Sequence, residues 1–137
     1  MVILGVWMDQ DMNLHFSEID LEITGILTDV GLKSNEARVL VVLFKGFDLT
    51  SREIERLVDL RQPEVSIAIN LLIARKWAHI SSLISEKKGR PVKVYSLSLS
   101  IDAILDQIEE QVEGDYRGQL ETIERVRSMV KESRVCE

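Results

Sequence analysis

One change of pattern, near residue 77, limits the possible folds of this chain more than any other feature. Before it, apolar residues recur at three- and four-residue steps, which is typical of helices that bury one face. After it, residues 80–84 and 92–97 alternate apolar and polar side chains, which indicates two strands. The polar segment 86–91 between them contains Gly89 and predicts a hairpin tip. We therefore expect a mainly α fold with a small β-hairpin (α+β).

Four helices are predicted before the hairpin. The first begins after Ser17, a typical N-cap, and extends to about Val30, where Gly31 suits a left-handed end. The second covers residues 34–46, and the third begins with Thr50 and Glu53, which match a capping box. The fourth follows the turn 59–61 and begins at 62–64. The residues expected on the apolar faces are Ile19, Ile23, Ile26, Leu27 and Val30; Ala37, Leu40, Val41 and Phe44; Ile54, Leu57 and Val58; and Val65, Ala68, Ile69 and Leu72.

The third and fourth helices are joined by three residues and followed by the hairpin. This order and spacing predict a winged helix-turn-helix. We assign residues 1–16 to an N-terminal arm, 17–99 to a DNA-binding domain, and 100–137 to a C-terminal dimerisation helix. The main alternative is a winged helix that serves as a protein-interaction module in a transcription or recombination complex.

Residues from about 27 to 105 resemble the winged-helix domain of the TrmB-like and MarR-like archaeal transcription regulators. The resemblance rests on the segments 31–40 (GLKSNEARVL), 49–54 (LTSREI), 62–66 (QPEVS) and 89–95 (GRPVKVY), of which the last is the most specific. It implies a DNA-binding transcription regulator. Full-length TrmB regulators carry a large sugar-binding domain after the winged helix, whereas one helix follows here, so sugar sensing is not implied. The family often has glycine where this chain has Lys76, which leaves open how the fourth helix ends.

Charge is distributed unevenly along the chain. The net charge of −6 argues against binding nucleic acid with the whole surface. Residues 50–99, however, carry nine basic and five acidic residues, whereas 1–49 carry three and eight, and 100–137 carry five and ten. A basic middle between acidic flanks predicts one localised face that contacts double-stranded DNA.

The outward residues at the start of the fourth helix are candidates for reading base edges. Gln62 and Asn70 are of the types that bond adenine edges, Ser66 can reach a base or a phosphate, and Ile67 can contact a thymine methyl group. Pro63 completes this set. The alternative is a solvated polar face, but the outward Ile67 and the basic hairpin that follows favour DNA contact.

Basic residues at the hairpin are candidates for contacts with the DNA backbone. Lys87, Lys88, Arg90 and Lys93 are opposed only by Glu86, although lysines also occur in turns for solubility alone. Gly89 and Pro91 restrict the backbone around Arg90, which suits an arginine in the minor groove. The candidates outside the hairpin are Ser51, Arg52 and Arg61.

A long last helix is predicted from Ser100 to about Glu132. Its apolar residues recur mostly at four-residue steps, and one small domain cannot cover such a stripe, so a second chain is expected to cover it. The alternative is that the helix folds back on the first helix of its own chain. Gly114 and Gly118 permit either a close helix crossing or a bend. The expected homodimer interface consists of Ile104, Ile108, Val112, Tyr116, Leu120, Ile123 and Val130.

The sequence does not predict an enzyme. His15 and His79 are far apart and have no cysteine or clustered carboxylates at metal-ligand spacing, so we expect no metal and no cofactor. A phosphate-binding glycine loop and a nucleophile elbow are both missing from the sequence. Because Cys136 is the single cysteine and no signal peptide or membrane span is predicted, we expect a cytoplasmic protein without a membrane partner. The sequence does not indicate a small-molecule effector.

Overall fold

The computed structural model describes residues 15–85 and 89–135. The elements in this part of the chain are α1 (Glu18–Asp29), α2 (Ser34–Leu43), β1 (Leu49–Thr50), α3 (Ser51–Val58), α4 (Gln62–Ala74), β2 (Ala78–Ser85), β3 (Pro91–Leu97) and α5 (Ile101–Val135). The predicted arm lies outside the described residues except for its last two. The chain divides into two compact units, one that ends at Ser100 and one that begins at Ile101.

The two ends of α1 follow the signals predicted from the sequence. The Asp20 N–H donates to Ser17 Oγ at 3.2 Å, and the Ser17 N–H donates to Asp20 Oδ2 at 2.8 Å, so Ser17 is the N-cap. At the other end Gly31 has a φ of 121°, and the N–H of Leu32 donates to the carbonyl of Leu27 at 3.2 Å. Local side-chain and backbone preferences therefore set both boundaries.

The apolar face predicted for α1 is mostly exposed to solvent. Of its residues only Leu27 is buried, and the buried neighbours of Leu27 are the polar Asp20 and Thr24. Their polar atoms are satisfied, because Thr24 Oγ1 donates to the Asp20 carbonyl and Asp20 Oδ2 lies 2.8 Å from Lys45 Nζ. The residues of α1 that are apolar and exposed are Ile19 (66%), Leu21 (50%), Ile23 (36%), Ile26 (56%) and Val30 (42%).

Helix α2 lies at the centre of the first unit and packs on α1, α3 and α4. A helix with neighbours on several sides needs apolar residues on all of them, and α2 is accordingly buried from residue 39 through residue 43. The predicted inward positions Ala37, Leu40 and Val41 are confirmed, whereas Phe44 is half-buried.

Helices α3 and α4 form the predicted helix-turn-helix. The Glu53 N–H donates to Thr50 Oγ1 at 3.2 Å and the Thr50 N–H donates to Glu53 Oε1 at 2.9 Å, which confirms the capping box. Asp59 ends α3 in the left-handed region with a φ of 57°, and α4 begins after Arg61. The predicted inward residues are buried, except that Leu57 is half-buried; those buried are Ile54, Val58, Val65, Ala68, Ile69 and Leu72.

At the end of helix α4, Lys76 adopts a conformation that glycine normally occupies. Lys76 has a φ of 67°, its N–H donates to the Ile73 carbonyl at 2.9 Å, and the N–H of Trp77 donates to the Leu72 carbonyl at 3.0 Å. These two bonds define a Schellman motif. Lys76 thus ends the helix in the same way as the glycine that is common in the family. Its Cβ, however, is disfavoured in this left-handed conformation.

The hairpin belongs to a three-stranded antiparallel sheet in the order β1-β3-β2. Strands β2 and β3 confirm the predicted pair, with Ile80 opposite Tyr95, Ser82 opposite Val94, and Ser81 as an extra residue between them. The two-residue strand β1 was not predicted, because so short a segment has no periodicity. The helix-turn-helix followed by this hairpin is a winged helix-turn-helix, and the predicted fold class is confirmed.

The second unit is one helix of 35 residues, α5, which is ~52 Å long at ~1.5 Å per residue. Ile104 and Ile108 are buried in the single chain, with 0% and 7% exposure, although we expected them at the dimer interface. From residue 109 to residue 134 every residue of α5 is exposed. Within residues 15–85 and 89–135, no helix has the length and apolar character that a membrane span requires.

Candidate nucleic-acid interface

The first nine residues of α4 expose polar side chains on the face opposite the core. Gln62, Pro63 and Asn70 are exposed, Ser66 is half-buried, and Ile67 is 64% exposed. The buried Val65, Ala68, Ile69 and Leu72 fix this rotation of the helix, because they pack toward α2 and α3. The structure therefore brings all five predicted base-reading residues to the surface of one helix.

Glu64 lies among these residues and carries a charge that phosphates repel. Its Oε1 accepts a hydrogen bond of 3.0 Å from the backbone N–H of Arg61, the N-cap residue of α4. A carboxylate in the first turn also stabilises the positive end of the helix. The structure thus gives Glu64 a local structural role at the N-terminus of α4.

The predicted backbone contacts on α3 and α4 are accessible. Arg52 and Arg61 are exposed, and Ser51 is half-buried as the first residue of α3. Arg52 and Arg61 therefore provide an accessible guanidinium group near the N-terminal end of each helix of the motif. Arg38 helps to fix the position of α3 relative to α2, because its Nη1 donates to the carbonyl of Val58 at 3.0 Å.

The hairpin contributes two further exposed cations, Arg90 and Lys93. Lys93 lies in β3 opposite Leu83, whereas Arg90 directly precedes the strand and follows Gly89, whose φ is 78°. A positive φ at this position favours glycine and sets the direction in which the chain enters β3. The other predicted wing contacts, Lys87 and Lys88, lie outside the described residues.

A polar network anchors the base of the hairpin. The buried Ser96 hydroxyl donates to Asp48 Oδ1 at 2.6 Å and lies 2.8 Å from Ser81 Oγ, which in turn donates to the Val94 carbonyl at 3.3 Å. These bonds connect β3 with the extra residue of β2 and with the residue before β1. The hairpin is therefore held to the helix-turn-helix by side chains as well as by strand pairing.

Two titratable side chains of the sheet have structural roles. Burial raises the pKa of the Tyr95 phenol above its usual value of 10, so the phenol is neutral at pH 7. His79 Nδ1 lies 2.8 Å from Ser98 Oγ in a hydrogen bond between β2 and the segment after β3. Within residues 15–85 and 89–135, no group of three His, Cys, Asp or Glu side chains is arranged to hold a metal ion.

The structure adds one cation that the sequence analysis missed. Lys33, the exposed residue before α2, lines a cleft of about 230 Å³ together with Ile67 and Glu64 of α4. It stands 29 positions before the first residue of α4, so no spacing rule connects the two. Lys33 is therefore an additional candidate for contacting a phosphate beside the exposed face of α4.

No family model matches the chain, and no curated protein matches it. Among solved structures it is similar to a possible transcriptional regulator from Methanosarcina mazei Go1, with a TM-score of 0.56 and 15% identity over 73% of this chain and 82% of that one. It also matches the apo form of wild-type MarR from E. coli, with a TM-score of 0.46 and 16% identity over 88% of this chain and 84% of that one. The first of these likenesses shows a shared fold.

Proposed function

We propose that this protein is a DNA-binding transcription regulator, related to the MarR-like and TrmB-like winged-helix proteins, that acts as a homodimer without a cofactor. In this proposal α4 enters the major groove, and the wing at 86–93 contacts phosphates or the minor groove. The observation that carries the proposal is the division of α4 into a buried apolar face and an exposed face with Gln62 and Asn70. The regulator from Methanosarcina mazei Go1, which has the same fold, is described as a possible transcriptional regulator.

The chemistry of the exposed face suits base edges. Gln62 and Asn70 carry amides that can donate to and accept from one adenine, and Ile67 offers an apolar surface for a thymine methyl group. Ser66 is half-buried and its side chain is short, so its hydroxyl suits a contact with a group that lies close to the surface of α4. These residue types favour a site that contains A·T pairs.

Exposed cations surround this face on three elements. Arg52 is the second residue of α3, Arg61 precedes α4, and Arg90 and Lys93 belong to the hairpin. Each cation that neutralises a phosphate releases counterions and adds affinity that does not depend on sequence. The local excess of basic residues in 50–99 supports binding despite the net charge of −6.

The exposed apolar residues of α5 support a homodimer. A second chain that covers them would remove a long apolar surface from water, which favours association. The proposed interface begins beyond Ile108, since Ile104 and Ile108 are already buried in the single chain. Its residues are Val112, Tyr116, Leu120, Ile123 and Val130.

Selection from a pool of random duplexes, followed by competition binding, tests this proposal. We expect the wild-type protein to enrich an inverted repeat whose half-site centres lie about one helical turn apart, because a two-fold dimer presents two copies of α4. Gln62→Ala and Asn70→Ala should each cost ~1–3 kcal/mol on the enriched duplex and much less on a scrambled one.

The matched control is Gln119→Ala, which removes an exposed amide from α5. If no duplex is enriched, the proposed function is wrong. If Gln62→Ala and Asn70→Ala weaken binding equally on both duplexes, these residues are phosphate anchors rather than base readers.

A protein-interaction module remains the second candidate because β2 exposes apolar side chains. Ile80, Leu83 and Ile84 are 42%, 61% and 48% exposed. A docking face for another protein is typically enriched in such residues. This candidate gains support if the protein enriches no duplex but Leu83→Asp abolishes its binding to a protein partner.

A further inference from the structure

We propose that the outer edge of β2 binds an extended acidic segment of a partner protein, which adds to the sheet as a fourth strand. Strand β2 (Ala78–Ser85) is the last in the order β1-β3-β2 and, among the described residues, pairs with β3 alone. The outer edge of such a strand presents backbone N–H and C=O groups to which an extended peptide can bond. This surface differs from the exposed face of α4, so the inference goes beyond the proposed function.

Strand β2 lacks the charged residues that usually protect such an edge. Its sequence, AHISSLIS, contains no Asp, Glu, Lys or Arg, whereas 29% of the whole chain is charged. Edge strands commonly carry a charge, a proline or a bulge that discourages pairing with another chain. The bulge at Ser81 interrupts β2 once, and residues 82–85 then continue in regular register with β3. We therefore expect an added strand to pair with residues 82–85.

Apolar side chains lie along this edge on both faces of the sheet. Ile80 and Leu83 are opposite two residues of β3 that stand two positions apart, so they share one face. Ile84 follows Leu83 directly and therefore lies on the other face. All three are exposed. An added strand with apolar residues covers these side chains and removes apolar surface from water, which favours binding.

Exposed cations lie near both ends of this edge. Lys76 stands two positions before β2, Arg90 directly precedes β3 where that strand meets the end of β2, and Lys93 follows in β3. No ion pair joins any of the three to another described residue, and Asp48, bonded to Ser96, precedes β1 on the opposite side of β3. The segment 86–90 (EKKGR) contains three basic residues and one acidic residue. The complement of this edge is therefore an apolar segment with acidic residues at its ends.

The β2 edge of a second copy is a poorer partner than an acidic segment. If two β2 strands pair antiparallel, the end of each strand, where the basic segment 86–90 begins, lies beside the start of the other, near Lys76. If they pair parallel, the two basic segments lie side by side. Both arrangements bring like charges together, which disfavours pairing. Acidic residues at the ends of a peptide meet opposite charges at the same places.

A synthetic peptide of sequence EEVTVTVTEE, labelled with a fluorophore, tests the inference. Its β-branched residues favour an extended strand, and its ends are acidic. We expect saturable binding to the protein in fluorescence anisotropy, with an affinity that falls as salt is added. On binding, hydrogen exchange should slow at the backbone amides of residues 82–85, because the added strand covers this edge and bonds to it.

Two control peptides separate strand addition from simple attraction between charges. A form of EEVTVTVTEE that is methylated at its central backbone nitrogens keeps the charges but loses the N–H donors, so we expect its dissociation constant to rise ~10-fold or more. The peptide KKVTVTVTKK keeps the strand but reverses the charges, and we expect a similar loss. The variant Lys76→Glu/Lys93→Glu should exchange the preference between acidic and basic peptides. Arg117→Glu/Arg125→Glu, which makes the same charge change at exposed residues of α5, should not.

Several results would overturn the inference. If EEVTVTVTEE does not bind saturably, the edge does not accept such a strand. Equal binding of the methylated peptide would mean that charges alone attract it, and slower exchange only outside β2 would place the peptide elsewhere. If no peptide binds but Leu83→Asp lowers the mass of the protein in sedimentation, a second copy covers the edge instead. Selection of duplexes is a separate measurement, so failure of the proposed DNA binding and failure of this inference are distinguishable.

Discussion

Arg75 Nε donates to Glu36 Oε2 at 2.5 Å, which joins the residue that ends α4 to the first turn of α2. The Glu36 side chain is 1% exposed and Arg75 is 30% exposed. The other carboxylate oxygen, Oε1, accepts from the backbone N–H of Lys33 at 3.4 Å, and the guanidinium lies 4.7 Å from the centre of the Trp77 ring. This ion pair sets the position of the proposed reading helix against the central helix of the domain.

Breaking this pair from one side should be costly. In Arg75→Ala the Glu36 carboxylate stays buried without its main partner, so we expect a loss of about 3 kcal/mol in the free energy of unfolding. Replacing both residues by leucine should recover most of that loss, since no buried charge remains. Urea denaturation of wild type, Arg75→Leu, Glu36→Leu and the double leucine variant measures the coupling. Additive effects of the two positions would show that the pair does not act as a unit.

Lys76→Gly should stabilise the protein. Lys76 occupies the left-handed region, where a Cβ costs about 1 kcal/mol, so removing the side chain should raise the free energy of unfolding by about that amount. Lys76→Ala is the control, because it removes the same charge but keeps the Cβ. Equal stability of the two variants would mean that the charge of Lys76, rather than its backbone conformation, lowers the free energy of unfolding.

Acid should weaken the contact between Asp20 of α1 and Lys45, which follows α2. Burial raises the pKa of the Asp20 carboxyl, but hydrogen bonds from Lys45 and Ser17 outweigh it, so the pKa lies below its usual 3.8. Because the folded pKa is lower than the unfolded one, the contribution of Asp20 is complete above pH ~4 and decreases as the pH falls through the folded pKa. In Asp20→Asn the free energy of unfolding should therefore depend less on pH in this range.

Thermal unfolding of wild type and Asp20→Asn between pH 2 and pH 6, roughly the range over which carboxyl groups titrate, measures the difference. The control is Asp29→Asn, which removes an exposed carboxylate from the same helix. A pH profile of Asp20→Asn as steep as that of wild type would contradict the assignment.

The wing should contribute affinity but little sequence preference. Replacing Lys87, Lys88, Arg90 and Lys93 by alanine should weaken binding to all duplexes alike and lower the salt slope by ~0.9 for each phosphate that is no longer neutralised. Arg117→Ala, which removes an exposed cation of α5, is the control. An unchanged salt slope in the wing variant would identify these residues as a solubility feature of the turn.

A single charge on α5 should separate the two copies. Ile123 is 52% exposed in the single chain, so Ile123→Asp leaves the fold of that chain intact but places a carboxylate among the apolar side chains of the proposed interface, where it would lose its water. We expect monomers in sedimentation analysis. Met129→Asp is the control, since Met129 is 64% exposed on another side of the helix. Dimers of Ile123→Asp as stable as those of the control would place the interface elsewhere.

Gly114 and Gly118 are positions in α5 where the sequence pattern did not decide the local structure. The sequence permitted a close crossing or a bend at these positions. The structure continues as one helix through both, and a Cβ at either glycine would meet no atom within 4 Å. They lie ~140–180° from Ile123 around the helix, at about 100° per residue, and therefore outside the proposed dimer stripe.

The elements that could be predicted from the amino-acid sequence are those whose causes are local. Ser17, Thr50, Gly31 and the period of two after residue 77 act on residues a few positions away, so helix ends and strands could be predicted from them. The inward residues of α4 were predictable for the same reason, because their spacing follows the turn of one helix.

Which face of each helix meets which neighbour became clear from the folded chain alone. The apolar face of α1 is exposed, whereas its opposite face is buried with Asp20 paired to Lys45, which follows the end of α2. Arg75 reaches Glu36 across 39 residues of sequence, and Lys33 reaches the cleft beside Ile67. Helical periodicity states that a face is apolar but not what covers it, since burial depends on segments that are distant in sequence and meet only when the chain folds.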